Sequence, residues 1–384
     1  MTIIETTVDA PPMPVPLVDL RLQNEQVAEE VRHAIDEVCE SGAFVLGPRV
    51  RAFEEEYAAF CGVDHVVGVG NGTDALVLAL RGAGIGPGDE VIVPANTFVA
   101  TAEAVALVGA DLGLVDCTPD FLIDADALAQ RVTSRTRAVI GVDLYGQAAP
   151  FEAIRAAVGN DVVIVEDAAQ SQGATRHGRP AGSLATVAAT SFYPGKNLGA
   201  YGDAGAVLTD DPEIAERVRA LRNHGGVNKY EHLVVGTNSR LDSMQAAILS
   251  IKLRHLTRWN AERVEAARRY DLLLADVAGV VPPQVLPGNE HVWHLYVVRV
   301  AERDRVLAEL AEDDIHAGVH YPTPVHLLPA FAGLGLGPGS FPVAEQTAGE
   351  LLSLPMYPGI TEGQQRRVAA SLARAVAGPL GRDR

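Results

Sequence analysis

Lysine is the rarest basic residue in this sequence. Lysine and arginine together occur 31 times, but only Lys196, Lys229 and Lys252 are lysines. A lysine amine can lose its proton and condense with a carbonyl group, whereas an arginine side chain stays protonated. Lys196 lies in a turn-rich segment, residues 191–199, directly after an apolar run, so we expect its amine to do chemistry. Lys252 lies on a long predicted helix, where we expect an ordinary surface lysine.

Two carboxylates, Glu166 and Asp167, come at the end of the apolar run 162–165. In open α/β sheets, ligands bind at the carboxyl ends of the strands, which is where these side chains would stand. One of the two could instead be a helix cap or a solvated loop residue. Because the strand before them is so apolar, we expect at least one of them to be functional.

A third feature is the segment Asn71-Gly72-Thr73-Asp74, which precedes the strongly helical run 75–80. A glycine and a hydroxyl residue at a helix start offer free backbone N–H groups, a side-chain donor and the positive end of the helix dipole. Those groups can hold a phosphate. An ordinary turn with a helix cap explains the same four residues equally well.

Together, these three features fit pyridoxal 5'-phosphate. That cofactor needs a lysine amine for covalent attachment, a phosphate cup and an acidic partner for its pyridine nitrogen. A carboxylate about 4 Å from that nitrogen contributes roughly 4 kcal/mol at an effective dielectric constant of 20, which is enough to keep the ring protonated. We assign this partner role to Asp167.

The elements that must position these residues alternate along residues 26–250. Apolar runs predict strands over 91–94, 112–116, 138–144, 162–166, 187–192 and 206–209. Amphipathic stretches predict helices over 74–82, 101–108, 124–132, 151–158 and 212–224. Strands that are apolar throughout and separated by helices are typical of a largely parallel sheet covered on both faces.

A second, smaller α+β unit is predicted at the end of the chain. A long helix over 242–276 precedes a boundary at Pro282-Pro283, followed by a strand over 292–300 and helices over 303–314 and 362–377. We expect three parts: residues 1–25 as an N-terminal leader and small-domain segment, 26–255 as the large cofactor-binding domain and 256–384 as the small C-terminal domain. Four prolines up to Pro16 predict that the leader is loose and not a signal peptide.

The bulk composition excludes several classes of function. A net charge of −18 over 384 residues argues against nucleic acid and anionic membranes as partners. The most apolar stretch, 99–115, contains Glu103 and Asp111 and is too short and too charged to span a bilayer. The three cysteines form no CxxC pair, which fits reduced thiols in the cytoplasm and predicts neither a disulfide framework nor a metal site.

Four segments resemble the nucleotide-sugar aminotransferases of the DegT/DnrJ/EryC1/StrS family: residues 71–76, 166–171, 191–196 and 236–242. They occur in the family's order, and the resemblance extends from about Val18 to Pro358. It implies the type I aspartate-aminotransferase fold, an α/β fold with a large, mostly parallel sheet domain and a smaller α+β C-terminal domain. Because position 196 is a lysine and not the histidine of the family's dehydratases, the resemblance favours a transaminase.

The resemblance also implies a role for each cofactor-site residue. Lys196 would hold pyridoxal phosphate covalently and, once freed, move a proton as general base and acid. Asp167 would pair with the pyridinium. The remaining cofactor contacts would be Gly72, Thr73 and Ser191 at the phosphate, Gln170 at the ring hydroxyl and Phe98 on the ring face. An aromatic residue at a helix start, such as Phe98, could equally be part of the core.

In the family, two residues reach the active site of the neighbouring subunit, so the resemblance implies a homodimer with shared active sites. Asn238 would reach the phosphate, and Arg240 would grip the diphosphate of the sugar nucleotide with its planar fork. Asn238 could instead be a loop residue that caps the long helix, where Asp242 could serve equally well.

Within the family, the segments 41–48 and 320–327 resemble enzymes that act on 3-keto sugars. His320, Tyr321 and His326 would line the sugar pocket, although both histidines could be turn residues in a proline-rich loop. Ala43-Phe44 departs from the family pattern, in which a tyrosine often takes the second position.

The expected reaction is a ping-pong transamination. L-Glutamate would convert the cofactor to pyridoxamine 5'-phosphate, which would then aminate a keto group, at C3 by resemblance, of a nucleotide-diphosphate deoxyhexose. Thymidine is the expected nucleotide and uridine the second candidate. The acceptor could instead be a 4-keto nucleotide sugar or a cyclitol ketone, and a pyridoxal-phosphate-binding regulatory protein without catalysis would share the same cofactor site.

Overall fold

The computed structural model describes residues 13–228 and 230–378, so Lys229 and residues 1–12 of the predicted leader segment lie outside the described residues. The helices are α1 (Leu20–Ser41), α2 (Pro48–Cys61), α3 (Gly72–Gly82), α4 (Val99–Leu107), α5 (Ala125–Arg131), α6 (Phe151–Val158), α7 (Pro212–Leu221), α8 (Ser243–Leu274), α9 (Arg303–Glu312), α10 (Pro342–Glu350) and α11 (Glu362–Ala377). The strands are β1 (His65–Val69), β2 (Glu90–Pro94), β3 (Asp111–Val115), β4 (Thr136–Val142), β5 (Val163–Asp167), β6 (Thr175–Arg176), β7 (Arg179–Pro180), β8 (Val187–Ser191), β9 (Gly205–Thr209), β10 (Gly226–Asn228), β11 (Glu231–His232), β12 (Val280–Val281), β13 (Asn289–Glu290), β14 (Tyr296–Val300) and β15 (Leu351–Leu354).

Seven strands form the central sheet in the order β1-β9-β8-β5-β4-β2-β3. From β3 to β8 each neighbouring pair is parallel, whereas β9 runs antiparallel to both β8 and β1. This arrangement confirms the predicted α/β class and the mostly parallel sheet. All six strands predicted for this sheet are present within two residues of the predicted bounds, but β1, α1 and α2 were not predicted.

Alternate residues of the central strands pack into different cores, because successive side chains of a strand point to opposite faces of the sheet. Ile92 and Ile164 belong to the cluster beneath α5 and α6, while Val91 and Val165 belong to the cluster beneath α3 and α4. Both faces are therefore covered, which explains why these strands read as continuous apolar runs.

We propose that the two domains meet within α8, a few residues beyond the expected boundary at residue 255. Leu256 and Trp259 pack with the clusters of the large domain, whereas Ala266 and Tyr270 pack with the antiparallel sheet formed by β12, β14 and β15. One continuous helix thus supplies side chains to both cores.

The last residues of the predicted leader are not loose. Val15 is fully buried, and its N–H donates to the carbonyl of Asp314 at 2.9 Å. Val15 and Ile315 form an isolated parallel β-bridge with each other, and both belong to the core of the C-terminal unit. In the part of the chain that the structure describes, no helix is both long and apolar enough to cross a membrane.

The strand predicted over 292–300 begins only at Tyr296. The preceding residues bond to a loop of the large domain instead of to β15: the Val292 N–H donates to Gly146 and the Leu295 N–H to Tyr145. These two bonds bring the intervening His294 to the carboxyl ends of the parallel strands. The helix predicted over 212–224 ends at Leu221, and the last predicted helix, 362–377, is confirmed.

Candidate active site

A cavity of about 750 Å³ lies at the carboxyl ends of β4, β5 and β8, beside the first turn of α3. Residues from all parts of the chain reach it, from Leu17 to Tyr321. It brings together most of the residues predicted for the site: Gly72, Thr73, Phe98, Asp167, Gln170, Ser191, Lys196, His320 and Tyr321.

Lys196 and Asp167 form the charged centre of this cavity. Burial lowers the pKa of the Lys196 amine to about 8, although the negative charge of Asp167 acts in the opposite direction. An amine with that pKa is partly unprotonated near neutral pH and can attack a carbonyl carbon. The arrangement therefore supports the chemistry predicted for the scarce lysine.

Asp167 is buried, with 6% of its surface exposed. Burial raises the pKa of its carboxyl group, while a hydrogen bond from the Thr101 hydroxyl lowers it. The Thr101 hydroxyl lies 2.9 Å from Oδ2, and the Ala169 N–H lies 3.2 Å from Oδ1. The neighbouring Glu166 points away from the cavity, because its oxygens accept the N–H groups of Gly182 and Leu184.

The first turn of α3 forms the opposite wall. The Asn71 side chain caps the helix by accepting the Asp74 N–H at 2.8 Å, so the helix cap predicted for this segment is confirmed. The cap takes only one N–H and leaves those of Gly72 and Thr73 at the cavity wall, at the positive end of the helix dipole. A Cβ at Gly72 would lie 2.5 Å from the Cβ of Ser191, so this close approach requires a glycine.

Gln170 and two aromatic rings complete the middle of the cavity. Oε1 of Gln170 accepts the Tyr145 N–H at 2.7 Å, and its Nε2 donates to the Tyr321 hydroxyl at 3.1 Å. Phe98 is 48% exposed and is therefore not a core residue. Its ring centroid lies 5.0 Å from that of Tyr321, and both aromatic residues line the cavity.

We call residues 318–328, which enclose the cavity from the small domain, the substrate loop. Nδ1 of His320 lies 2.8 Å from the Ser353 hydroxyl, and the Tyr145 hydroxyl donates to the His320 carbonyl. Burial, reinforced by the positive charge of Lys196, lowers the pKa of His320 to about 4. His320 is therefore neutral at physiological pH. A neutral imidazole can donate a hydrogen bond to a ligand hydroxyl or accept one from it.

His326 does not line the cavity, contrary to the prediction. Its ring is buried, Nε2 lies 3.0 Å from Oε1 of Glu345, and it packs edge-on against Phe341. The 3₁₀ turn that begins at Val325 rotates this side chain toward α10, while His320 and Tyr321 remain at the cavity. His326 therefore anchors the far end of the substrate loop.

Asn238 and Arg240 lie outside their own subunit's cavity. Asn238 is exposed and forms an isolated β-bridge with Asn223, whose side-chain oxygen accepts from Nη1 of Arg240 at 3.1 Å. Asp242 occupies the N-cap position of α8 but makes no capping side-chain bond. That Asn238 and Arg240 reach the active site of a neighbouring subunit remains a prediction.

Lys252 is not the surface lysine that its helix suggested. Only 3% of the residue is exposed, and its amine donates to the Gly199 carbonyl at 2.5 Å. It also lies 5.3 Å from the ring centroid of Tyr201. Lys252 therefore ties α8 to the loop that carries Lys196, and burial lowers its pKa to about 8.

Several cavity residues were missed from the sequence. The clearest is His294, whose Nδ1 lies 3.2 Å from Oδ1 of Asn197. The Asn197 amide donates to Asn260 and Val292, so its oxygen is free to accept, and His294 must donate from Nδ1. Thr97 and Asp203 also line the cavity. A histidine inside the apolar segment predicted as the strand 292–300 was the available signal for His294, but Thr97 and Asp203 carried none.

The residues present fit pyridoxal phosphate. A partly unprotonated lysine, a buried carboxylate, a helix start with free N–H groups and a flat aromatic face surround one cavity. The glycine at position 72 keeps the phosphate end open, since any larger residue there would collide with Ser191. Lys196 would hold the cofactor covalently, Asp167 would bind its ring nitrogen, and Gly72, Thr73 and Ser191 would hold its phosphate.

Comparison with known proteins agrees with this assignment. The DegT/DnrJ/EryC1/StrS aminotransferase family matches residues 25–373. The protein named dTDP-3-amino-3,4,6-trideoxy-alpha-D-glucose transaminase of Streptomyces venezuelae is 48% identical over 356 residues, which cover 92% of this chain and 94% of that protein. A Geobacillus stearothermophilus protein named pleiotropic regulatory protein is also 48% identical, over 365 residues covering 94% of this chain and 98% of the relative. The crystal structure of S. venezuelae DesV in complex with a ketimine intermediate has a TM-score of 0.92 and 47% identity, covering 94% of this chain and 98% of that chain.

Proposed function

Since the chain belongs to the DegT/DnrJ/EryC1/StrS aminotransferase family, we propose that it transfers the amino group of L-glutamate to C3 of a 3-keto nucleotide-linked deoxyhexose. It is a pyridoxal-phosphate-dependent aminotransferase. The observation that carries the proposal is the position of Lys196 and Asp167 in one cavity between a helix N-terminus and the substrate loop.

Bound pyridoxal phosphate supplies an electron sink for the carbon whose C–H bond breaks. The protein's contribution is to place and protonate the reacting atoms. The freed Lys196 amine would take the proton from the substrate carbon that carries the nitrogen and would then deliver it to the cofactor carbon bonded to the same nitrogen. The Asp167 carboxylate would hold a proton on the ring nitrogen, and the N–H groups of Gly72 and Thr73 would hold the phosphate.

The sugar is proposed to lie against the substrate loop. His320, kept neutral by burial, and Tyr321 offer hydrogen-bonding groups next to Lys196 without adding charge. The relative from S. venezuelae is named for a thymidine-diphosphate 3-amino sugar, which supports the 3-keto position and the thymidine nucleotide. A uridine nucleotide, a 4-keto sugar and a cyclitol ketone are the competing acceptors.

A homodimer with shared active sites is part of the proposal. Asn238 and Arg240 lie outside their own cavity and partly face solvent, next to an exposed apolar stretch that includes Leu233 and Val235. In a dimer, Arg240 would meet the diphosphate of a substrate bound to the neighbouring subunit. We place the enzyme in the cytoplasm, because its three cysteines are free thiols.

The visible absorption spectrum tests the proposed function. Cofactor-free protein mixed with pyridoxal phosphate should develop the yellow band of a lysine-bound cofactor, and L-glutamate should convert this band to that of pyridoxamine phosphate. The Lys196→Ala variant should show neither the lysine-bound band nor turnover. Turnover at the wild-type rate in that variant would refute the assignment.

The same experiment separates the enzyme from a regulatory protein that only binds the cofactor. That second candidate is favoured by the name of the Geobacillus relative. A regulatory protein would form the yellow band but leave it unchanged on addition of glutamate. If glutamate converts the band, a panel of acceptors identifies the second substrate: thymidine and uridine 3-keto sugars, a 4-keto sugar and a cyclitol ketone, each scored by return of the yellow band.

A further inference from the structure

Two buried threonines form a chain of hydroxyl groups that ends on Asp167. The Thr97 and Thr101 hydroxyl oxygens are 2.7 Å apart, and the Thr101 hydroxyl donates to Oδ2 of Asp167 at 2.9 Å. Thr97 is 3% exposed and Thr101 is fully buried. Thr97 also lines the cavity, whereas Thr101 lies behind it.

The number of protons fixes the direction of this chain. A threonine hydroxyl has one hydrogen to donate, and that of Thr101 is used on Asp167. The bond between the two hydroxyls must therefore run from Thr97 to Thr101. Both donors point toward the carboxylate, and hydrogen bonds aligned in this way strengthen one another.

A purely structural threonine in this helix would bond differently. Helical threonines commonly donate to a carbonyl three or four residues earlier in their own helix, as Thr347 does on α10. Thr101 instead donates across to the end of β5. The bond satisfies no backbone carbonyl of α4, so its effect falls on the charge of Asp167.

We propose that Thr101, supported by Thr97, is a positioning residue that keeps Asp167 ionised and aimed at the ring nitrogen of the cofactor. This inference rests on the proposed function and deepens it. Without the Thr101 hydroxyl, the carboxylate would retain only the Ala169 N–H as a hydrogen-bond donor in the described structure, at 3.2 Å. A buried carboxylate with fewer donors takes up a proton more readily, so the proton shared with the ring nitrogen would move toward Asp167.

Other charged or titratable groups near Asp167 cannot replace the hydroxyl. The positive charge of Lys196 also favours the ionised carboxylate. However, attachment of the cofactor consumes the Lys196 amine. Tyr321 also interacts electrostatically with Asp167, and burial raises the pKa of its own hydroxyl, so it stays neutral. The bonds from Thr101 and from the Ala169 N–H therefore persist when the cofactor is bound, and the shorter of the two comes from the threonine chain.

Binding of two ligands to cofactor-free protein tests the inference. The probes are pyridoxal phosphate and its 1-deaza analogue, in which a C–H group replaces the ring nitrogen. Wild-type protein should prefer pyridoxal phosphate. Thr101→Val should reduce this preference about 10- to 100-fold, the range expected for a hydrogen bond to a charged group, and Thr97→Val about two- to tenfold.

A second readout reports the proton directly. With ring-¹⁵N-labelled pyridoxal phosphate, the nitrogen signal of Thr101→Val should shift toward that of an unprotonated ring. Thr101→Ser, which keeps the hydroxyl, should restore both the wild-type shift and the ligand preference. Thr347→Val removes a buried hydroxyl that does not line the cavity and makes no bond to Asp167, so it should change neither.

The outcomes distinguish the inference from the proposed function. If wild-type protein fails to bind pyridoxal phosphate, the proposed function is wrong. If it binds both ligands equally, the role of Asp167 is wrong. If it discriminates between them but Thr101→Val discriminates equally well and keeps a protonated ring, only the threonine inference is overturned. If Thr101→Val does not fold, Thr97→Val and Thr101→Ser still decide, because the inference requires a partial loss in the first and wild-type behaviour in the second.

Discussion

The two ends of the cavity are held in place in different ways. At the cofactor end, Asp167 and Ser191 are the last residues of β5 and β8, so the parallel sheet fixes their backbone. At the other end, backbone bonds hold the substrate loop at two points, where Gly318 forms an isolated β-bridge with Ser353 and where the Val325 N–H donates to the Ala95 carbonyl. Between these two points, the loop is held by side chains. Tyr145, Gln170 and Ser353 supply those contacts. The comparison indicates that the proposed cofactor contacts are built on rigid elements, whereas the proposed sugar contacts depend on a few separable hydrogen bonds.

The largest expected effect concerns the cofactor end. Because the pKa of Lys196 is lowered to about 8, the fraction of unprotonated amine rises about tenfold per pH unit below that value. The rate at which cofactor-free protein attaches pyridoxal phosphate should therefore rise about 50-fold from pH 6 to pH 8 and level off about twofold higher, above about pH 9. Stopped-flow absorbance measures this rate. In Asp167→Asn, the plateau should begin at lower pH, because the charge that raises the pKa of Lys196 is lost.

A lysine with its ordinary pKa would give a different profile. The rate would continue to rise through pH 10, and Asp167→Asn would not move it. That result would show that the cofactor end is more open to water than its burial indicates, and the contrast between the two ends would disappear.

An intermediate effect is expected where the two ends meet. Tyr321→Phe removes the hydroxyl that accepts from Nε2 of Gln170 but keeps the ring beside Phe98. It leaves a buried amide donor without its partner and frees the substrate loop at that point, so KM for the sugar nucleotide should rise about tenfold. The half-reaction with glutamate, followed by absorbance, should change less than about twofold. Equal losses in both half-reactions would show that the two ends are not separable.

The cofactor end could be predicted from the sequence because its residues follow strands that can be recognised. Lys196 and Asp167 come within a few residues of apolar runs, and their residue types limit what they can do. Thr101 could not be found in this way, because its role depends on which side of α4 faces β5. His326 was assigned to the wrong side of the substrate loop for a similar reason, since one 3₁₀ turn decides the direction of its side chain.

Helix α1, which was not predicted, nevertheless has a clear signal in the sequence. Val27, Val31, Ala34 and Val38 follow a helical spacing and pack against α8. By contrast, the burial of Lys252 had no local signal. Its environment is created by Gly199 and Tyr201, which lie about 50 residues earlier in the sequence and contact it in the folded structure.

The smallest effect is expected at the far anchor of the substrate loop. Glu345 accepts the N–H groups of Gly339 and Phe341, and Nε2 of His326 lies 3.0 Å from its Oε1. The backbone bond from Gly339, followed by that from Phe341, lowers the pKa of its carboxyl group. A lowered pKa in the folded state means that this contribution to stability is complete above the ordinary glutamate pKa and is lost as the pH falls through the folded value.

Glu345→Gln should therefore speed amide hydrogen exchange in residues 337–341 at pH 7, and the difference from wild type should shrink under acidic conditions, where wild-type Glu345 is itself protonated. KM for the sugar nucleotide should change less than about twofold, as for most surface substitutions, because Tyr145, Gln170 and Ser353 still hold the loop next to the cavity. The matched variant Glu350→Gln, at the end of the same helix, removes a partly buried ion pair with Arg299 and should leave exchange in residues 337–341 unchanged. A large rise in KM for Glu345→Gln would mean that the contact of Glu345 with His326 also positions Tyr321. The hydrogen bonds that hold the substrate loop would then not act independently of one another.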